Sequence, residues 1–211
     1  MRRLPIYLLL DISGSMRGEP IEAVNLGVKT LVETLRKDPY ALETAFLSII
    51  AFNNESHQLM PLTEVYAFQQ PQLTASMGTY LGKALRLLAE TIDREVVKTT
   101  TEMKGDWKPL VFIMSDGKSG DSITKAMSAI DKKKLGFVIA CAAGKELNVE
   151  VLREITETVV RLESMDRETI SSFFKWVSAS VATSSAKVEE SNGEVTVLNE
   201  LPPLPDEITR V

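Results

Sequence analysis

Two apolar runs, Ile6-Tyr7-Leu8-Leu9-Leu10 and Leu110-Val111-Phe112-Ile113-Met114-Ser115, show no polar alternation. A strand with one wet face alternates apolar and polar side chains, so runs of this kind are strands buried on both faces, as parallel sheets between helices require. In such sheets, sites open at the carboxyl ends of the strands. The residues just beyond the two runs are therefore the first place to look for chemistry.

The rest of the chain supports the same architecture, because apolar strands and helical patterns take turns along it. Ile21, Val24, Val28, Leu31, Val32 and Leu35 follow helical spacing, and Asp38-Pro39 ends that helix. Residues 45–52 read as the second strand. Asn53-Asn54-Glu55 is turn chemistry, and residues 57–62 return antiparallel as a short edge strand with Pro61 near its end. A second helix from Thr79 to about Lys98 carries Leu81, Ala84, Leu85, Leu88 and Ile92 on one face. Further on, residues 123–130 are helical, 137–141 a strand, 149–155 a short helix and 159–162 the last strand. Ile170, Phe173, Phe174, Val177 and Val181 make a final amphipathic helix. The expectation is an α/β fold, a doubly wound and mostly parallel six-stranded sheet with one antiparallel edge strand.

A chain of 211 residues with 44% hydrophobic content suits one such domain. It is expected over residues 1–184. From Ser185 to Val211 the composition shifts to Ser, Glu, Asn, Gly and Pro, which reads as a tail outside the core. Within it, Glu194-Val195-Thr196-Val197 is suited to a short strand and Pro202-Pro203-Leu204-Pro205 to polyproline II.

At the end of the first run stands Asp11-Ile12-Ser13-Gly14-Ser15, which gathers one carboxylate and two hydroxyls at a strand terminus. Two more oxygen donors fall at the same predicted edge: Thr79, just ahead of a helical pattern, and Asp116, after the second run. Oxygen donors without thiolate or imidazole suit a hard divalent cation, and few carboxylates favour Mg²⁺ over Ca²⁺, with Mn²⁺ also admissible. Taken singly, each donor has a plainer role. Asp11 could cap a turn, Ser13 and Ser15 could be loop hydroxyls, and Thr79 could cap the helix beginning at Tyr80. Five separate roles do not explain why all five donors converge, whereas one shared cation does.

Asp11-x-Ser13-x-Ser15, then Gly78-Thr79, then Ser115-Asp116-Gly117 resemble the metal-ion-dependent adhesion site of von Willebrand factor A domains, in that order. The resemblance implies strand order 3-2-1-4-5-6, with the Asp11 and Asp116 strands adjacent at the switch point. It also implies that a partner's Asp or Glu completes the ion's coordination. Met114-Ser115-Asp116-Gly117 through Asp121, together with Phe173-Phe174-Lys175-Trp176-Val177-Ser178, further resemble the TerY proteins of bacterial tellurium-resistance systems. This second resemblance implies a cytoplasmic interaction protein working beside kinase and phosphatase partners in a stress response.

A formal charge of −5 argues against a nucleic-acid partner. Five apolar residues after Met1-Arg2-Arg3 are too few for a secretory segment or a membrane span. One cysteine, Cys141, rules out an internal disulfide and reads as a small core residue. The expected product is a soluble cytoplasmic binding module and not an enzyme. A metal-assisted phosphohydrolase lacks a second Asp in place of Ser13, a Gly-rich phosphate loop, and a nearby histidine. An ion that only staples loops is the other alternative. His57 is expected to face solvent, Lys132-Lys133-Lys134 to be a solvated helix end, Asp121 to cap a helix, and Trp176 to fill a groove.

Overall fold

The computed structural model describes residues 2–144, 147–191 and 200–211. Its elements run β1 (Leu4–Asp11), α1 (Glu19–Leu35), α2 (Pro39–Thr44), β2 (Ala45–Phe52), β3 (Ser56–Glu64), α3 (Leu81–Glu95), β4 (Leu110–Ser115), α4 (Ile123–Met127), β5 (Phe137–Ala142), α5 (Val149–Ile155), β6 (Val159–Leu162), α6 (Arg167–Ser191) and β7 (Ile208–Arg210). The sheet order is β3-β2-β1-β4-β5-β6-β7. β3 pairs antiparallel with β2, β7 pairs antiparallel with β6, and the pairings between are parallel. The six-strand order expected from the sequence is present, and a seventh strand extends it.

β1 is buried along its whole length, and its side chains divide between two cores as the strand's two-residue period requires. Ile6, Leu8 and Leu10 meet the layer of α1 and α6, with Val24, Val28, Leu31, Phe173, Phe174 and Val177. Tyr7 and Leu9 meet the layer of α3, α4 and α5, with Leu81, Leu85, Leu88, Ile123 and Leu152. Each layer supplies the apolar cover that a doubly buried strand needs, which is why β1 and β4 tolerate no polar residue before their carboxyl ends.

α1 ends at Leu35 with Arg36 as its cap, before Asp38-Pro39 is reached, and Asp38 instead starts the next helix: its carboxylate accepts from Ala41 N–H and caps α2. α4 is shorter than the helix expected over 123–130, ending at Met127.

The expected tail is corrected where it is described. Helix α6 continues to Ser191, and Val188, Leu201 and Ile208 are buried in the larger core. Trp176 is buried too, stacking near Phe173 with its indole N–H donating to Pro202 O at 2.9 Å. The physical reason is that β6 would otherwise expose an unpaired edge, and β7 covers it in the register Leu162↔Ile208. The strand expected at Glu194–Val197 lies outside the described residues.

Candidate metal centre

Parallel register decides what meets what at the carboxyl edge. Leu10 pairs with Met114, so Asp11 at the last position of β1 lies beside Ser115 and Asp116 at the end of β4. The chain then turns on Asp11 itself, whose Oδ1 accepts from Ser13 N–H at 2.8 Å. A short 3-10 turn, Gly14–Met16, follows. It brings the Ser13 and Ser15 hydroxyls to 2.9 Å from each other. The Ser15 hydroxyl lies near enough to the Asp116 carboxylate to favour its charged form, and Ser115 Oγ donates to Asp11 Oδ2 at 3.1 Å. Asp11, Ser13, Ser15, Asp116 and Ser115 thus gather their oxygens in an open ring between two strand ends. Ser115 joins the five donors expected from the sequence as an additional oxygen. Its position as the one polar residue ending an apolar run was the available signal.

Thr79 reaches the edge on a different loop, held by backbone bonds on three sides. Ser76 N–H donates to Ile12 O at 2.8 Å, Tyr80 N–H to Asn53 O at 2.9 Å, and Gly120 N–H to Thr79 O at 2.8 Å. These contacts tie its loop to the ends of β1, β2 and β4. Among the described residues the Thr79 hydroxyl joins none of the hydrogen bonds that link the other four donors. Nor does it cap α3, which corrects that plainer role. The cap position is Tyr80, which makes no side-chain cap bond, and the helix is capped from across the edge. Leu81 N–H donates to Ser119 Oγ at 3.1 Å and Gly82 N–H to Asp121 Oδ1 at 2.9 Å. Asp121 is therefore a capping residue, as expected, but for α3. Its own neighbour Ser122 caps α4.

Two glycines make these turns possible. Gly78 has φ +84° with the Asn54 side chain filling the space a Cβ would need, and Gly117 has φ +77° with Asn148 O 2.2 Å from that position.

The ring's electrostatics follow from depth. Asp11 is 1% exposed and Asp116 8%, whereas Ser15 is exposed, so the centre opens to solvent at Ser15. Burial pushes the Asp11 carboxyl up to about 6, with the nearby Asp116 charge adding to it against the hydrogen bonds from Ser13 and Ser115. Burial raises Asp116 as well. No group of three or more His, Cys, Asp or Glu suited to a metal exists among the described residues. The donor set is two carboxylates with neutral hydroxyls. Two buried, like-charged carboxylates flanked by hydroxyl oxygens are a set that a hard divalent cation fits, since it would relieve both charges.

Remaining sequence candidates fall outside the ring. His57 is exposed on β3, and Cys141 is fully buried with its thiol pushed well up by burial, which keeps it unreactive. Lys132–Lys134 forms an exposed 3-10 turn.

A sequence profile described as the von Willebrand factor type A domain matches residues 6–175. The chain belongs to this family. Solved structures share the fold of this A domain at low sequence identity. One titled von Willebrand factor type A, from Catenulispora acidiphila, superposes with TM-score 0.66 at 17% identity, covering 86% of this chain and 43% of that one. The ArnB paralog VWA2 from Sulfolobus acidocaldarius gives 0.57 at 15%, over 87% of this chain and 45% of that one. The pilus adhesin SpaC from Lactobacillus rhamnosus GG gives 0.63 at 11%, over 87% and 30%. The chain thus spans less than half the length of each. Among curated proteins, none matches. Among the described residues, no helix is long and apolar enough to cross a membrane.

Proposed function

We propose that this A domain is a metal-dependent protein-interaction module that binds an acidic residue of a partner through a divalent cation, with Mg²⁺ the best suited. The residues that would hold the ion are Asp11, Ser13, Ser15, Thr79 and Asp116. The observation that carries this reading is the oxygen ring itself, in which buried carboxylates lie at the bottom and an exposed hydroxyl at the mouth. When bound, such a cation supplies residual positive charge and a ligand position open to an incoming carboxylate. Asp11 and Asp116 balance the charge. The hydroxyls of Ser13, Ser15 and Thr79 contribute oxygens without cancelling it, and the Asp11 turn holds Ser13 in place.

The reading is one of binding without turnover. His57 is exposed on the edge strand, so neither it nor the buried Cys141 supplies a base or nucleophile to the ring. By resemblance to the TerY proteins, the partners are kinase and phosphatase proteins of a cytoplasmic stress-response complex related to tellurite resistance. The test is calorimetric titration of Mg²⁺, Mn²⁺ and Ca²⁺ into chelator-treated protein beside Asp11→Ala, followed by pull-downs with and without chelator. One ion per chain, lost in the variant, and partner capture that chelator abolishes support the proposal. Saturable ion binding with chelator-insensitive capture would leave the ion as a staple for the loops. No ion binding would end the metal reading.

A further inference from the structure

The oxygen ring does not open onto a flat surface. Beside it lies a cleft of about 390 Å³ lined by the polar residues Ser15, Asp116 and Lys118, by Gly144, and by the apolar Met16, Pro20 and Met165. That volume falls within the range of small-ligand sites. Met16 is buried at the end of the 3-10 turn, Pro20 begins α1, and half-buried Met165 packs onto the core just before α6. The apolar wall is thus built from three separate segments and backed by the protein interior. Two thioethers in one wall make a soft surface that adapts to the shape of an apolar group.

Resting on the metal reading above, we propose that this cleft is a specificity subsite. It takes an apolar side chain carried next to the carboxylate that the centre binds, so the preferred partner segment pairs an Asp or Glu with an adjacent aliphatic residue. Continuity is the argument for this occupant. Ser15 and Asp116 belong both to the ring and to the cleft, so a carboxylate held at the ring mouth places the next few carbons of its own molecule against Met16 and Met165. A short polar acid leaves that apolar wall facing water, and an aliphatic acid covers it.

The experiment uses the full chain with [¹³C-methyl]methionine, loaded with Mg²⁺ whose binding is first checked by calorimetry, and titrated with acetate or 4-methylpentanoate. The branched acid is expected to bind roughly tenfold tighter or more, since each buried methylene is worth about fourfold. The Met16 and Met165 methyl resonances should shift with it and not with acetate. Met165→Gln, similar in length but polar, is expected to erase the preference while leaving acetate binding and the Mg²⁺ isotherm unchanged. Equal affinities, shifts confined to other methionines such as Met77, or an unaltered preference in Met165→Gln would overturn the subsite with the metal reading intact. Absence of Mg²⁺ binding in the calorimeter would overturn both.

Discussion

Replacing Asp11 by Asn should make the metal-free protein more stable while destroying its ability to bind an ion. The carboxyl titrates near 6 instead of 3.8 because burial penalises its charged form. At about 1.4 kcal/mol per pH unit, holding it ionised at neutral pH costs the fold roughly 3 kcal/mol. Asparagine has nearly the same shape and carries no charge. Its amide oxygen can accept from Ser13 N–H as Oδ1 does now, and its amide nitrogen can donate to the Ser115 hydroxyl, which has lone pairs for both this bond and Gly117 N–H. Some desolvation cost remains for the amide, so the expected gain is about 1–3 kcal/mol. The sign runs with pH. A carboxyl whose folded value is raised binds its proton more tightly in the native state, so wild-type stability falls as pH rises from about 4 to about 6 and then stays lower. The variant lacks that term, and its advantage should be present at pH 7.5 and gone near pH 4. Urea unfolding of both proteins in chelator at the two pH values measures this. A less stable variant at pH 7.5, or an advantage of equal size at both, would refute the argument that burial of this charge strains the metal-free fold.

Other outcomes follow from the same geometry. Mg²⁺ at about a hundred times its dissociation constant should stabilise the wild type by roughly 2.7 kcal/mol, read as a thermal shift that Asp11→Ala lacks. Asp121→Ala removes the cross-edge cap from Gly82 N–H and the ion pair with Arg86 at 3.1 Å, and should cost about 1–2 kcal/mol in denaturant unfolding. Gly117→Ala forces a side chain into φ +77° against Asn148 O. It should destabilise by about 2 kcal/mol or more, with soluble yield and midpoint as the readouts. Ile208→Ala should lower stability by about 2–4 kcal/mol, because Ile208 is buried in the core under β7's pairing with β6. An unchanged midpoint would mean that the final strand does not close the sheet.

Much of this protein is written in local pattern. The doubly buried runs, the bounds of β2, α5 and β6, the antiparallel edge beside β2 and the meeting of Asp11, Ser13, Ser15 and Asp116 at one sheet edge could be read from residue order alone. Burial on both faces leaves an unmistakable composition, and a motif such as Asp11-x-Ser13-x-Ser15 turns on itself within five residues. Long-range partners leave no such trace. That Asp121 caps α3, that Ser115 completes the ring, and that Leu201, Ile208 and Trp176 close the far edge all depend on segments brought together from 26 to 104 positions apart. Polar residues and prolines in the last segment looked like solvent-exposed chain because composition reports average polarity. Only the packed sheet, with an edge at β6 that needs covering and a core face that needs two more apolar side chains, decided that this segment belongs to the domain.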